Sequence, residues 1–354
     1  MFAKRLLFKQ KDHAFYHVPS IVIAPDGSVL AFCEERWRSP CDDTGECHIV
    51  MKKSTDHGQT WGDLIHLRKK AEEKHHMGSA VTDPATGNVM LMCGGGWLKS
   101  GDNGETWQEW RPTVNIIEGT TGNSTHGSGP GIVLLHGKNK GRIVWPARTI
   151  VSKDGYNDSS IPDRQEKCFS SAMYSDDCGA TIHCSNYFLQ GTGEACLAER
   201  LNGELYFNTR AYFDDGRRYT AISHDGGSHF SEGVPDGQLR EVQQGCNASM
   251  VRYPQDLCGG RDILLFANPD SSGKIREHGV VHVSFDGGKS WPLKKAVTRW
   301  GEWFDYSAMA VSHDGTILLM YKTTPDMTGM PISADGCCSM ALIRFDLDWL
   351  EVPS

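Results

Sequence analysis

Short apolar runs separated by turn residues recur along the chain, and this pattern predicts β-strands joined by hairpins. Between Ser20 and Phe32, apolar positions flank the turn sequence Pro-Asp-Gly. Residues 202–208 and 313–320 repeat the arrangement, with a Gly shortly before an apolar run. The pattern contains no helical periodicity of useful length and no linker. We therefore expect one all-β domain over residues 1–354.

One octapeptide, with the pattern S-x-D-x-G-x-[T/S]-aromatic, repeats within this background. Its copies begin at Ser54, Ser100, Ser175, Ser223 and Ser284, and the third and fourth copies are degenerate. The Asp carboxylate can accept backbone N–H groups of a turn, the Gly can adopt a positive φ, and the aromatic ring can pack beside the turn. The octapeptide therefore predicts a structural hairpin turn, because a calcium loop needs more carboxylates per copy.

The spacing of the copies predicts the architecture. Successive copies begin 46, 75, 48 and 61 residues apart. Hairpins that recur every 50–60 residues or so are typical of four-stranded propeller blades with long outer loops. Six blades would divide the 354 residues into segments of about 59 residues. The expected fold is an all-β, six-bladed β-propeller.

Composition and charge narrow the class of function. The 39 Gly and 10 Trp residues suit many tight turns with large aromatic anchors. No run of about 18 apolar residues occurs, so a transmembrane helix is not expected. The 36 basic and 44 acidic residues give a net charge of −8. Nucleic-acid-binding proteins normally show a basic excess, so nucleic acid is not an expected partner. An anionic ligand would therefore have to be met by locally placed cations.

The cysteines and the N-terminal sequence give no sign of metal binding or export. The 12 Cys residues show no C-x-x-C pair and no zinc-type spacing, so neither a metal nor an organic cofactor is expected. The first residues are basic, but their apolar stretch is too short for a signal peptide. Sequons at Asn123, Asn157 and Asn247 are as frequent as chance would give. A cytoplasmic location is the default expectation, and no oligomeric state is predicted.

Six further motifs follow one another along the chain. They are Tyr16-His-Val-Pro19, Ala31–Arg36 with the acidic loop Cys41–Glu46, His126–Gly131, Gly193–Arg200 with Asn208–Arg210, Ala267–Asp270 with Arg276, and Tyr306-Ser307. In this order they resemble the motifs of the bacterial and animal exo-α-sialidases (neuraminidases), whose repeated turn is called the Asp-box. The resemblance covers almost the whole chain. It implies a propeller with an active site at its central axis. The implied reaction is removal of a terminal α-linked sialic acid, or another ulosonic acid, from a glycan.

The resemblance also implies three catalytic roles. Tyr306 would be the nucleophile, Glu194 the base that activates it, and Asp43 the acid/base that protonates the leaving oxygen. A neutral phenol suits an anomeric carbon that carries a carboxylate, because a carboxylate nucleophile would meet like charge. Glu199 is an alternative for the base and Asp42 for the acid/base. Each of these residues also has an ordinary structural interpretation.

Three arginines would face the substrate by the same resemblance. Arg210 and Arg276 would grip the substrate carboxylate by forked hydrogen bonds, and Arg36 would lie beside them. The alternative for each arginine is a structural salt bridge.

Two departures from the family pattern occur together. His17 stands where the family has the first Arg of its carboxylate-binding triad, and Lys322 stands where it usually has the Glu that orients this Arg. We interpret the change as an exchange in which Lys322 or protonated His17 supplies the third cation; independent drift in a degenerate enzyme is the alternative. An ammonium is a point charge and not a planar fork. The His17–Lys322 pair therefore suits a carboxylate that is bound in a different orientation, such as that of KDN or Kdo.

A further departure is Ser307-Ala-Met309, where the family often has Ser-Asp-Leu, and it affects the local support of Tyr306. A third hypothesis, from a different class of function, is a non-catalytic propeller that binds glycans.

Overall fold

The computed structural model describes residues 1–11, 13–40, 46–68, 75–117, 120, 122–151, 167–329, 331 and 336–353. Within these ranges, 27 strands form six sheets, of which five have four strands and one has seven. A 3-10 turn lies at Gln255–Leu257. None of the helices in the described ranges has the length and apolar character needed to cross a membrane.

The strands follow one another sheet by sheet along the chain. The N-terminal strand is β1 (Phe2–Phe8). The first sheet contains β2 (Ala14–Ile23), β3 (Val29–Trp37), β4 (Glu46–Ser54) and β5 (Ile65–Arg68). The second contains β6 (Met77–Thr82), β7 (Val89–Cys93), β8 (Trp97–Ser100) and β9 (Gln108–Trp110). The third contains β10 (Thr113–Asn115), β11 (Asn123–Ser124), β12 (Ile132–Val133), β13 (Ile143–Ile150), β14 (Cys168–Ser175), β15 (Thr181–Cys184) and β16 (Phe188–Gln190).

The remaining sheets complete the series. The fourth contains β17 (Thr192–Glu199), β18 (Leu205–Ala211), β19 (Arg217–Ser223) and β20 (Val234–Arg240). The fifth contains β21 (Ser249–Arg252), β22 (Leu264–Pro269), β23 (Gly279–Ser284) and β24 (Leu293–Ala296). The sixth contains β25 (Asp305–Val311), β26 (Ile317–Thr323) and β27 (Ser339–Phe345), and β1 pairs with β27 as its outer strand. The two ends of the chain are thereby joined by backbone hydrogen bonds.

The sheets are arranged in a ring. The inner strands contact one another in the order β25, β2, β6, β12, β17 and β21, and β21 contacts β25 again. Six buried hydrophobic clusters lie between neighbouring sheets. For example, Phe32 and Leu91 share the cluster between the first and second sheets, and Leu265 and Leu319 share the one between the fifth and sixth. The apolar core is therefore divided among these gaps, and the predicted all-β propeller is confirmed.

The predicted six-bladed architecture is wrong in its number of blades, because the structure shows five four-stranded blades rather than six. In the third sheet, the β13–β14 hairpin and β15 are joined by the short strands β10, β11, β12 and β16. β10 pairs in parallel with β15, and both β11 and β12 pair with β13. The segment that leads into this sheet thus covers strand edges and satisfies backbone groups that would otherwise be unpaired.

The repeated octapeptides are hairpin turns, as predicted. In the first copy, Gly58 N donates to Ser54 Oγ at 2.9 Å, and Thr60 N donates to Asp56 Oδ1 at 2.8 Å. The other four copies repeat the bond from the Gly N–H to the Ser hydroxyl. Gly58 has φ of 79°, a value that side-chain-bearing residues seldom adopt. Each octapeptide joins the third and fourth strands of a four-stranded blade or, in the third sheet, β14 and β15.

Several inner strands carry a register shift close to their first residues. The shifts lie between His17 and Ser20 in β2, Met77 and Ala80 in β6, Thr192 and Ala195 in β17, and Asp305 and Ser307 in β25. A β-bulge adds a residue to one strand and re-aims its side chains. All four bulges lie at the same end of the ring, where the inner strands begin.

Candidate active site

The predicted site residues gather at this end of the ring. Glu194 and Tyr306 lie near the first residues of the inner strands β17 and β25, and Arg210 and Lys322 lie near the last residues of β18 and β26. An inner strand and its neighbour are antiparallel, so the start of one lies beside the end of the other. The antiparallel blades therefore bring together residues that are far apart in sequence.

The bulge in β25 directs two consecutive side chains to the same arginine. Asp305 pairs with Lys322 and Ser307 pairs with Tyr321, so Tyr306 is the extra residue, with φ of 38°. In a regular strand, the side chains of residues 305 and 306 would point to opposite faces. Here Arg276 Nη1 donates to Asp305 Oδ1 at 2.7 Å, and its guanidinium carbon lies 5.5 Å from the centroid of the Tyr306 ring. The positive φ is a strained backbone conformation for a residue with a side chain.

A phenol, a carboxylate and a guanidinium are in direct contact at the centre of the site. Tyr306 Oη donates to Glu194 Oε1 at 2.6 Å. Arg210 Nη1 donates to Glu194 Oε2 at 2.6 Å and to Tyr306 Oη at 2.8 Å. The rest of the Arg210 fork donates to the carbonyl oxygen of Gln244, which fixes the guanidinium plane. A Cβ added at Gly127 would lie 2.7 Å from Glu194 Cδ, so this glycine leaves space for the carboxylate.

The surroundings of this contact shift the pKa values of Glu194 and Tyr306 in opposite directions. Burial alone would raise the pKa of Glu194, but Arg210 and Arg148 and the hydrogen bonds from Tyr306 and Arg210 lower it to about 2. Burial and the neighbouring Glu194 carboxylate raise the pKa of Tyr306 well above its ordinary value, although Arg210 and Arg276 oppose them. At neutral pH the site therefore holds a neutral phenol hydrogen-bonded to an ionised carboxylate.

A second group of charges surrounds Asp305, which is 1 % exposed. Asp305 Oδ2 lies 2.7 Å from Lys322 Nζ, so the carboxylate bridges Lys322 and Arg276. Lys322 Nζ is 3.4 Å from His17 Nδ1, and His17 Nε2 is 3.1 Å from Cys338 Sγ. Burial, Lys322 and Arg36 lower the pKa of His17 well below its ordinary value. Burial also opposes the charge of Lys322, but Asp305, Cys337 and Cys338 together raise the pKa of Lys322. Lys322 is therefore the cation of this pair, and His17 is neutral.

Arg36 is held by Glu34 of the same strand. Arg36 Nη2 lies 2.7 Å from Glu34 Oε2, and its Nη1 donates to Pro40 O. His126 Nε2 lies 3.2 Å from Glu34 Oε1, which also accepts the backbone N–H of Met77. Arg36 is 6 % exposed and its guanidinium is engaged by these groups, and its place beside the substrate stays a prediction.

A cavity of about 490 Å³ opens above the phenol and the carboxylate. Tyr306 and Glu194 form part of its lining, together with His76, Trp97, His126 and Arg148. Arg148 Nη1 lies 4.0 Å from Glu194 Oε1, and its Nη2 lies 3.3 Å from His126 Nδ1. The cavity is of the size that a small ligand occupies.

The two glutamates predicted as candidates for the base lie near opposite ends of β17. Glu199, at the other end of β17, accepts the backbone N–H groups of Leu135 and His136 at 2.6 and 3.0 Å, so it fixes a turn. Glu194 alone of the two contacts Tyr306. Asp43, predicted as the acid/base, and its alternative Asp42 lie outside the described residues.

Sequence reasoning missed Asp305, Arg148 and the Glu34 pairing. Asp305 directly precedes Tyr306, but an alternating strand pattern places it on the opposite face, and only the bulge brings both to Arg276. Arg148 lies on β13 within an otherwise buried apolar strand. A charged residue in a buried strand is rarely left unpaired, so its presence in the sequence indicates a candidate site residue.

The fold and its repeated turns define an Asp-box β-propeller. The BNR repeat-like domain family matches residues 27–319, and the chain belongs to this family. Its expected kinship with the exo-α-sialidases is confirmed by the relatives that it matches. A sialidase of Micromonospora viridifaciens is 27% identical over 87% of this chain and 50% of that protein. A sialidase of Bacteroides fragilis is 26% identical over 88% of this chain and 61% of that protein.

The chain therefore spans between half and two thirds of the length of these two relatives. Among solved structures, the intramolecular trans-sialidase from Ruminococcus gnavus in complex with oseltamivir carboxylate matches with a TM-score of 0.79. It is 16% identical and covers 99% of both chains. A likeness at this identity supports the fold alone.

Proposed function

We propose that the protein is a retaining exo-glycoside hydrolase that removes a terminal α-linked sialic acid from a glycan. The observation that carries the proposal is the 2.6 Å hydrogen bond from Tyr306 Oη to Glu194 Oε1 at the floor of the 490 Å³ cavity. Arg210 donates to both members of this contact, and Arg276 lies beside the Tyr306 ring and contacts Asp305, which also binds Lys322. We infer that these cations suit a substrate that carries a carboxylate on its anomeric carbon. The sialidase relatives supply the class of substrate.

In the first step, the Tyr306 oxygen forms a bond to the anomeric carbon while the bond to the leaving oxygen breaks. The phenolic proton passes to Glu194, and Asp43 gives a proton to the leaving oxygen. In the second step, water gives a proton to Asp43 and its oxygen displaces Tyr306, which recovers its proton from Glu194. Two displacements at the same carbon retain its configuration.

The substrate carboxylate prepares the base in this scheme. Glu194 has a pKa of about 2 because Arg210 and Arg148 stabilise its charge, so the free site contains a weak base. A carboxylate that binds at Arg210 and Arg276 partly neutralises these cations. The pKa of Glu194 then rises, and transfer of the Tyr306 proton becomes easier.

A second candidate is hydrolysis of a related 2-keto-3-deoxy sugar acid, such as KDN or Kdo. It is favoured by Lys322, whose ammonium is held by Asp305 at 2.7 Å beside a neutral His17. We propose that Lys322, and not His17, is the third cation.

Fluorogenic α-ketosides of Neu5Ac, KDN and Kdo test these alternatives. Cleavage of the Neu5Ac ketoside supports the first candidate, and cleavage of only the KDN or Kdo ketoside supports the second. If the folded protein cleaves none of them but binds the free sugar acids, the enzyme proposal is wrong and a glycan-binding propeller is favoured. The contact between Tyr306 and Glu194 argues against that outcome, because binding alone has no need of it.

A further inference from the structure

Two histidines and a glutamate converge on one face of the first sheet, away from the candidate active site. Glu35 lies on β3, His48 on β4 and His66 on β5. Glu35 and His48 are directly opposite each other in the β3–β4 pair. In the β4–β5 pair, Val50 lies opposite His66, just after a register shift between Ile49 and Val50. Glu34, the preceding residue, contacts Arg36 and His126 at the active site. Adjacent residues of β3 therefore serve opposite faces.

A single carboxylate oxygen is shared by the two imidazoles. Glu35 Oε2 lies 2.8 Å from His66 Nε2 and 3.3 Å from His48 Nδ1, and the three atoms lie within 4.8 Å of one another. Ligands at about 2.0–2.2 Å from a tetrahedral Zn²⁺ are separated by about 3.3–3.5 Å. The 3.3 Å distance between His48 Nδ1 and Glu35 Oε2 already matches this separation. The His66 side chain is partly exposed on the short strand β5, and a shift of about half an ångström would bring it to this separation.

Two neighbouring groups, Tyr16 and Glu46, lie behind these ligands. Tyr16 Oη donates to the other oxygen of Glu35, Oε1, at 3.1 Å, which leaves Oε2 directed at the imidazoles. Glu46 Oε2 lies 3.4 Å from His48 Nε2, the ring nitrogen opposite the one that faces Glu35, but the two atoms do not form a hydrogen bond. A carboxylate behind a metal-binding histidine orients the ring and raises its basicity. Glu46 is therefore close enough to take this role after a small movement, and Tyr16 already orients Glu35.

The fourth coordination position faces open space. Glu35 and His66 line a cavity of about 440 Å³ together with Tyr16, His13 and Trp37. Water or His13 can approach from this cavity. Two imidazoles and one carboxylate with an open position suit zinc-class divalent ions, whereas Ca²⁺ and Mg²⁺ prefer sets made of oxygen ligands.

We propose that Glu35, His48 and His66 form a binding site for one zinc-class divalent cation on the first blade. The ligands come from three adjacent strands at positions 35, 48 and 66, so no short motif reveals them. The bound ion would link β3, β4 and β5. This site is separate from the proposed hydrolytic site and does not depend on it.

Calorimetric titration of the chelator-treated 354-residue chain with Zn²⁺ tests the site, and Co²⁺ absorption in the visible region reports its coordination. We expect one equivalent of metal to bind and the Tm to rise. The H66A variant should bind at least about tenfold more weakly, because it loses one ligand. H224A, which removes an exposed histidine on another blade, is the matched control and should bind as the unmodified protein does.

Three further variants make the outcome decisive. E35Q should weaken binding as H66A does, and its Tm without metal shows whether the sheet remains folded. Y306F should bind the metal normally, so failure of the hydrolase proposal does not affect this test. The site is refuted if Zn²⁺ does not bind, or if H66A and E35Q bind it as tightly as the unmodified protein. His76 Nδ1 lies 3.4 Å from Glu34 Oε1 in the candidate active site. The proposal is therefore also refuted if binding survives in H66A but is lost in H76A, since the ion would then lie at that site.

Discussion

Tyr306 and Glu194 are 112 residues apart in the chain, yet the phenolic oxygen lies 2.6 Å from the glutamate oxygen. The contact depends on a bulge at the start of β25 and another at the start of β17. It also depends on Arg210, which donates to both groups. A phenol that is 6 Å from this carboxylate could not pass its proton to it directly. The short distance between Tyr306 and Glu194 is therefore what supports the proposed proton transfer.

We expect the Tyr306→Phe variant to lose nearly all activity. The substitution removes the proposed nucleophile and leaves the ring in place, so kcat/KM should fall by at least about 10³-fold while the Tm changes little. Steady-state kinetics with the ketoside that the unmodified protein cleaves best gives the measurement. The matched control is Tyr253→Phe, which loses a buried hydrogen bond to Gly315 O and should keep full activity. Comparable activity in the two variants would contradict the role of Tyr306.

Lys322 and His17 should behave as an exchanged pair. His17→Arg places a second cation beside Lys322, and Lys322→Glu places a carboxylate beside Asp305, so each single variant should be destabilised. The double variant restores an Arg–Glu pair. Denaturant unfolding of the four proteins should therefore give a favourable coupling energy of about 0.5–3 kcal/mol. Ligand titration in the same series should show weaker carboxylate binding in Lys322→Glu, and additive energies with unchanged binding would refute the exchange.

Acid should destabilise the protein partly through Glu194. Its pKa is about 2 in the folded protein and about 4.3 in an unfolded chain, so the native state binds fewer protons between these values. The resulting stability is present above about pH 4.3 and is lost as the pH falls through about 2, and it amounts to about 3 kcal/mol. The free energy of unfolding of Glu194→Gln should therefore fall less steeply between pH 5 and pH 2. Glu232→Gln, at an exposed position, should follow the unmodified protein; equal slopes in all three would contradict the pKa assignment.

The Asp-box turns should contribute to stability and not to catalysis. Asp286 accepts hydrogen bonds from Ser284 Oγ, Ser290 Oγ and the backbone N–H of Lys289 and Ser290. Asp286→Ala should lower the free energy of unfolding by about 1–2 kcal/mol and leave kcat/KM unchanged. Glu232→Ala is the control for loss of an exposed acid. A large loss of activity at unchanged stability would show that this turn has a role beyond structure.

The sequence was sufficient for features that depend on local chemistry. The Asp-box turns and the strands around them follow from Gly and Asp at fixed positions, and the structure confirms them at Gly58 and Asp56. Glu194, Tyr306 and Arg210 were identified by family resemblance, and the structure brings them into contact. Their catalytic roles are still predictions, and Asp43 lies outside the described residues.

Features that depend on long-range pairing could not be predicted in this way. The short strands of the third sheet have two or three residues each, and a sequence pattern that short is not distinct from a loop. The placement of Asp305 beside Arg276 depends on a bulge that no local motif marks. The cluster of Glu35, His48 and His66 arises from the register of three strands, and only the folded sheet brings it together.

The most direct test of the account is covalent trapping with a 3-fluoro sialic acid derivative that has a good leaving group, followed by peptide mass spectrometry. The account predicts one sugar adduct per chain, on the phenolic oxygen of Tyr306, and no adduct in the Tyr306→Phe variant. Release of the adduct should restore activity. Attachment of the sugar to Glu194 or to any other residue, or rapid turnover with Tyr306 unmodified throughout, would contradict the claim that this phenol is the nucleophile.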